Sequence, residues 1–287
     1  VDDGLMEITH VIRGEDHFSN TPRHVALFEA CGFTVPQFAH IPLTMGPGGE
    51  PLSKRLGAMS LAEYRTMGYL PQAVSNYMAL LGWSTGTDEE IFSFDELCKK
   101  FSLKRVSRSA AVFDLAKMNW VSGEHIRALP DADYVKLSVQ YILGAKIVDK
   151  ALYAIRPEWY EKVLGVFKDN ISCFQDLADR LGIFADEVTC DAPAHLTTPA
   201  AQTVLEELKK LLVALDELDE AGFDRIMKEL KKRVPVKGKE LFLPLRVALT
   251  GREHGPELRQ VILLLGKHTC LKRIDKALAM AAPQGDN

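Results

Sequence analysis

Ser53, Lys54 and Arg55 stand together behind the glycine-rich run Gly46-Pro47-Gly48-Gly49-Glu50-Pro51. Two adjacent cations beside such a turn can close over a polyphosphate and neutralise charge as it develops during transfer. One well-aimed donor of this kind contributes about 2.7–4 kcal/mol. Taken alone the motif is weak, because Ser-Lys-Arg turns decorate many surfaces. A second chemically loaded string lies upstream at Arg13-Gly14-Glu15-Asp16. A third is Arg246, a charge inside the apolar stretch 242–251, where it costs energy unless a partner meets it. Either an internal carboxylate or a single-stranded base or phosphate would serve, since guanidinium both stacks and hydrogen-bonds. Gly255-Pro256, followed by Glu257-Leu258 at a helix start, leaves backbone N–H groups free for a base edge or phosphate.

The elements that must position these groups read as follows. Met6, Ile8, Thr9, Val11 and Ile12 predict a buried strand that delivers Arg13 and Asp16 to a polar loop. Thr21 is the expected N-cap of the next helix, with Pro22 at its first position and Gly32 at its C-cap. A second apolar segment, 38–45, runs into the glycine-rich loop. Strand, helix, strand and then a phosphate-facing loop is the order of a parallel α/β nucleotide-binding sheet, whose ligands sit beyond the carboxyl ends of the strands. Capping boxes at Ser60/Glu63 and Ser93/Glu96, with Gly68 as a helix end and Pro71 as a helix start, make the stretch after the loop a helical module. Beyond Pro130 apolar residues recur at helical spacing over 134–143, 158–167, 175–181, 200–215, 223–232 and 257–265. Val204, Leu205, Leu208, Leu211, Leu212 and Leu215 form the most continuous stripe. Asp191-Ala192-Pro193 and Thr197-Thr198-Pro199 mark a further boundary.

Ile8-Thr9-His10-Val11-Ile12-Arg13-Gly14-Glu15-Asp16, then Thr21-Pro22-Arg23, resembles the second half of a class I aminoacyl-tRNA synthetase active site, nearest to the glutamyl-tRNA synthetase family with a glutaminyl branch as neighbour. Pro51-Leu52-Ser53-Lys54-Arg55 resembles that family's KMSKS-type loop, with Pro51 where a lysine is usual. Further matching blocks are Gly68-Tyr69-Leu70-Pro71, Asn76-Tyr77, Leu81-Gly82-Trp83-Ser84, Val112-Phe113-Asp114, Trp120, Gly123, Pro244-Leu245-Arg246 and Gly255-Pro256-Glu257-Leu258. The early His-Ile-Gly-His-type motif of the family does not occur in these residues, so the chain resembles a C-terminal part or half of a split enzyme.

The resemblance implies a mainly α protein with a partial Rossmann-like α/β segment. Its expected parts are the second half of the catalytic domain (1–57), a helical stem-contact domain (58–128) and two anticodon-binding helical subdomains (129–192 and 193–287). An all-helical C-terminal half is the bacterial-type arrangement. The implied activity of the whole enzyme is ATP-dependent attachment of L-glutamate to tRNA(Glu) through glutamyl-adenylate. Mg²⁺ would arrive with ATP, and no metal bound by the protein itself is expected. Lys54 and Arg55 would be catalytic; Ser53, Lys54 and Asp16 would bind ATP; Arg13 would take a glutamate carboxylate. Arg105, Trp120, Arg127, Arg246, Gly255, Pro256, Glu257 and Leu258 would contact tRNA. Trp120 reads first as a core anchor and alternatively as a stacking platform near the anticodon stem, and it could serve as both. Discriminating members carry an arginine in the first helical subdomain. The stretch Phe167-Lys168-Asp169-Asn170-Ile171 has none, which suggests that tRNA(Gln) is accepted too.

At 287 residues the chain has room for two or more domains. Net charge is −4, which excludes global attraction to nucleic acid, and no DNA partner is expected. RNA contact would need a local patch: Lys99, Lys100, Lys104, Arg105 and Arg108, or Lys228, Lys231, Lys232, Arg233, Lys237 and Lys239. The five cysteines have no zinc or redox spacing, and Cys31 and Cys98 read as buried thiols of a monomeric cytoplasmic protein with no membrane segment. Two other functions fit less of the chain. One is a non-catalytic tRNA-binding module. The other is a small-molecule ligase or nucleotidyl transferase of the same superfamily, against which the Arg246 and Gly255-Pro256 blocks argue.

Overall fold

The computed structural model describes residues 1–52 and 59–281; Ser53, Lys54 and Arg55 lie outside the described residues. The chain divides into two compact units, Val1–His125 and Ile126–Asn287. It is mostly helical, with a small parallel sheet near the N-terminus.

The first unit starts with α1 (Asp2–Leu5), β1 (His10–Gly14), α2 (Thr21–Ala30) and β2 (Gln37–Ile41). The two strands are parallel, with Arg13 opposite His40 and Gly14 opposite Ile41. The expected strand–helix–strand order is therefore present, but β1 is not buried. No residue of either strand is buried, and Ile12 is 46% exposed. A two-stranded sheet with one crossover helix has little to cover its faces. Thr21 is the first helical residue and not the N-cap, which is Asn20 without a side-chain cap bond; Gly32 lies one residue past the C-cap, Cys31, at φ +72°. The Thr21 hydroxyl is engaged elsewhere, as described below.

Residues 44–52 form a tight hairpin. Leu52 N–H donates to Thr44 (2.8 Å), Gly46 N–H to Glu50 (2.7 Å) and Gly49 N–H to Gly46 (3.0 Å). Gly49 has φ +83°, a turn conformation that a side chain would strain. Met45 N–H donates to Ala111 O (2.8 Å) and Phe113 N–H to Met45 O (2.8 Å), so the hairpin base is tied to the 111–113 segment.

Helices α3 (Leu61–Met67), α4 (Pro71–Leu80), α5 (Phe94–Lys100) and α6 (Leu115–Arg127) follow. Both capping boxes close as expected, and Gly68 ends α3 at φ +76°. Asn76 is buried and well bonded: it donates to Glu90 O (2.9 Å), and its carbonyl accepts from Phe92 N–H (2.8 Å) and His125 Nε2 (2.9 Å). Tyr77 OH donates to Asp114 O (2.8 Å) and accepts from Asp114 N–H (2.7 Å). Two blocks 37 residues apart are thereby one structural latch.

The second unit carries α7 (Asp131–Gly144), α8 (Lys150–Ile155), α9 (Pro157–Gly165), α10 (Asp176–Arg180), α11 (Pro199–Val213), α12 (Glu220–Arg233), α13 (Lys239–Thr250) and α14 (Leu258–Ala281), the last broken at Gly266. The predicted stripe of α11 is the heart of its core: Val204, Leu205, Leu208 and Leu212 are fully buried against Ile226, Leu230, Leu241, Leu245 and Ile262. Each large aliphatic side chain so buried stabilises the fold by about 1.5–3 kcal/mol.

Candidate functional site

Arg13 is the best-organised cation of the first unit. It sits at the carboxyl end of β1, half-buried, and its guanidinium reaches three elements. Nε donates to His40 Nε2 (3.3 Å) on β2, and Nη1 bonds His24 Nδ1 (3.2 Å) on α2. Nη2 donates to Thr21 Oγ1 (2.8 Å) and to the His17 carbonyl (3.2 Å). The Phe38 ring lies beneath it, 5.3 Å from the guanidinium carbon. No carboxylate of the described residues pairs with it. Asp16, one turn beyond the strand, is half exposed and 3.6 Å from His17 Nε2. The arrangement is a charged, oriented group without a counter-charge, able to receive an anionic ligand. The structure thus brings Arg13 and Asp16 to one sheet end, while Ser53, Lys54 and Arg55 lie outside the described residues.

In the same unit Arg105 is exposed and donates to Thr85 O (2.6 Å). Of its basic neighbours, Lys100 is consumed by Glu89 (2.5 Å), whereas Lys99, Lys104 and Arg108 are exposed. Trp120 is 42% exposed, which corrects its reading as a core anchor. Met118, Val121 and Ser122 take the buried side of α6 and turn Trp120 outward, where Lys117 Nζ stands 4.5 Å over its ring. Cys31 and Cys98 are exposed as well, contrary to expectation. Cys31 caps a helix that buries none of its residues, and Cys98 follows Leu97, the one buried residue of the seven in α5.

In the second unit Arg246 Nη1 donates to the Pro256 carbonyl (2.7 Å), not to an internal carboxylate. Burial pushes its guanidinium pKa down from the ordinary value, so the charge is held at a cost that an anionic or π-faced ligand would offset. Three candidate residues, Arg246, Gly255 and Pro256, are thus joined in space, with α14 starting at Leu258 directly after Glu257. Leu258 is buried and Glu257 exposed. The turn between α13 and α14 is braced from outside. Gly251 adopts φ +75° with its carbonyl accepting from Asp191 N–H (2.8 Å), and Thr250 Oγ1 donates to Arg246 O (2.7 Å). Arg252 grips both carboxylate oxygens of Asp179, with 2.6 Å from Nη2 to Oδ1. Arg127, half-buried, is the last residue of α6. In the stretch lacking an arginine, Lys168 is bound to Leu129 O (2.5 Å) and Asp131 (2.6 Å). In the second basic run Lys232 pairs with Glu229 (2.7 Å) and Arg233 with Glu207 (3.5 Å).

His24, His40 and the Arg252–Asp179 pair escaped the sequence reading. Isolated histidines carry no spacing signal, and the ion pair spans 73 residues.

Comparison with known proteins meets this geometry. Residues 1–120 match the catalytic domain of class I tRNA synthetases for E and Q, and residues 135–278 match an anticodon binding domain. The chain belongs to the glutamate–tRNA ligase family. It is 40% identical over 281 residues to glutamate–tRNA ligase 2 of Caldanaerobacter subterraneus subsp. tengcongensis, covering 97% of this chain and 58% of that protein. The glutamate–tRNA ligase of Desulforamulus reducens is 40% identical over 282 residues with the same coverage. Among solved structures, a glutamate tRNA ligase from Elizabethkingia meningosepticum in complex with its amino acid superposes with a TM-score of 0.76 at 28% identity, over 97% of this chain and 58% of that one. The chain therefore spans a little over half the length of these ligases. Among the described residues no group of three or more His, Cys, Asp or Glu could hold a metal ion, and no helix is long and apolar enough to cross a membrane.

Proposed function

We propose that these residues form the distal part of a glutamate–tRNA ligase, supplying the glutamate-facing arginine, the phosphate-binding loop and the tRNA-gripping helices. The observation that carries this reading is Arg13, presented at the carboxyl end of a parallel strand with no carboxylate partner among the described residues. In the complete ligase glutamate attacks the α-phosphate of ATP, releasing pyrophosphate, and the glutamyl group of the adenylate passes to the terminal ribose of tRNA. Side chains do little covalent chemistry here; positioning and charge stabilisation carry the rate. Lys54, aided by Arg55, contacts the phosphates most strongly as negative charge builds in the transition state, Ser53 orients the loop and Asp16 contacts the nucleotide. Arg13 pairs with a substrate carboxylate, and Mg²⁺ comes with ATP.

The division at 57, 128 and 192 assigns the remaining tasks. Residues 58–128 lean on the tRNA stem through Arg105, Trp120 and Arg127. Residues 129–287 read the anticodon through Arg246, Gly255, Pro256, Glu257 and Leu258. With no arginine in 167–171, the enzyme accepts tRNA(Gln) as well as tRNA(Glu); it is proposed to work as a cytoplasmic monomer. These 287 residues span 58% of the length of the ligases named above; their proposed share of the work is tRNA binding, without charging by themselves.

The test is glutamylation by the complete ligase. Lys54→Ala slows adenylate formation by about 10²–10³-fold, as loss of one oriented donor does. An unchanged rate removes Lys54 from the mechanism, and robust glutamylation by the 287 residues alone overturns the division of labour.

A further inference from the structure

The Arg13 cluster contains more than an arginine. Five N–H groups belong to a guanidinium, and it has no acceptor of its own. Four of Arg13's are assigned: one from Nε to His40, one from Nη1 to His24, and two from Nη2 to Thr21 and the His17 carbonyl. Among the described residues one Nη1 N–H has no acceptor, which leaves it for a ligand. Because arginine only donates, each histidine must offer it an unprotonated nitrogen. His40 therefore accepts at Nε2 and carries its proton on Nδ1. His24 accepts at Nδ1 and carries its proton on Nε2. The Thr21 hydroxyl, already accepting from Nη2, also lies 3.1 Å from His40 Nε2, where it would share that nitrogen's single lone pair with Arg13 Nε. One cation thus imposes opposite tautomers on two rings that face it from β2 and α2.

The backbone enforces this. Arg13 and His40 are directly paired across the parallel ladder, so their side chains leave the same face of the sheet. Phe18 packs edge-on against the His40 ring at 5.1 Å, and Phe38 supports the guanidinium from below. An arginine side chain is long and loses much rotamer freedom when it is ordered. A carboxylate partner would order it but would also quench its charge. Neutral imidazole acceptors order it and leave the charge intact.

We infer that His40 and His24 are positioning residues that hold the Arg13 guanidinium in a fixed, uncompensated state for a substrate carboxylate. This rests on the reading of Arg13 as the glutamate receptor, yet its geometric half is measurable without any turnover. In the 287-residue chain, nitrogen-15 NMR of labelled histidine reports the protonated nitrogen of each ring. The expected spectrum shows His40 protonated at Nδ1 and His24 at Nε2, and Arg13→Met returns both to the common exchanging mixture. Two ordinary mixtures in the unsubstituted chain, or a spectrum indifferent to Arg13→Met, overturn the inference.

The functional half is read in the complete ligase. His40→Leu raises the KM for glutamate by about 10-fold or more, since a hydrogen bond to a charged group is lost, and leaves the KM for ATP within about 2-fold. His40→Gln, whose side-chain carbonyl can replace Nε2 as acceptor, recovers most of the loss. A KM for glutamate unmoved by His40→Leu, or no recovery with His40→Gln, overturns the positioning role while leaving the ligase reading in place. Absence of any glutamylation by the complete ligase defeats the ligase reading and leaves the tautomer result standing.

Discussion

The sheet end of the first unit and the helical core of the second treat charge and apolar surface in opposite ways. Residues 1–41 bury almost nothing: Ile12, Phe18, Leu27 and Ile41 are exposed, and Arg13 is held by neutral groups. Around α11–α14, Val204, Leu208, Leu245 and Ile262 are sealed, and surface cations such as Lys209, Lys232 and Arg259 are paired with acids. Arg246, half-buried, and Arg273, buried, depart from that pattern, since their partners are backbone carbonyls. On the proposed reading Arg13 and Arg246 mark where ligands act, and the stability beneath them comes from the packed helices.

The largest expected effect tests the stability side of this contrast. Leu208→Ala in α11 removes a fully buried side chain and costs about 2–5 kcal/mol in urea unfolding of the second unit. Ile12→Ala on exposed β1 changes stability by less than about 0.5 kcal/mol. Equal costs at the two positions would break the comparison.

Arg246→Ala comes next. Stacking on a single-stranded base is worth about 1–3 kcal/mol, so tRNA affinity falls by about 10–100-fold while unfolding shifts far less than for Leu208→Ala. Affinity unchanged in a filter-binding titration would return Arg246 to a structural role.

The smallest effect belongs to the brace beside it. Arg252 holds the Asp179 carboxyl below its ordinary value, chiefly through their hydrogen bonds. The unfolded chain therefore binds that proton more readily than the folded one. The stabilisation is complete above the ordinary aspartate range and is lost as pH falls through the lowered folded value. Asp179 is 62% exposed, and solvent screening holds the contribution to about 0.2–1 kcal/mol. Asp179→Asn removes this stabilisation at neutral pH, and its difference from the parent closes as pH falls through the lowered folded value; an identical pH profile for variant and parent would sever the pair from stability.

Much of the helical half is legible in residue spacing because the α11 stripe, the capping boxes at Ser60 and Ser93 and the Gly68 stop are local signals. α13 is harder to read, since Pro244 inside it looks like a breaker and its helical partners lie elsewhere in the chain. Burial at β1, Cys31 and Cys98 is misjudged for one reason: apolar composition says what a strand or helix could cover, not whether a second layer is there. Arg13 and Arg246 are visible as charges in apolar strings, but their partners are not. His40 is 27 residues away and Pro256 offers a backbone carbonyl that any residue type could supply. Thr21 illustrates the same limit, its hydroxyl drawn from the capping role to Arg13.

The most direct measurement is equilibrium binding of the 287-residue chain to tRNA(Glu) and to the same tRNA with its three anticodon bases replaced. The account predicts binding to the first, weakened about 10-fold or more by the replacement, because each good base contact carries about 1–3 kcal/mol. Equal affinity for both RNAs would contradict it.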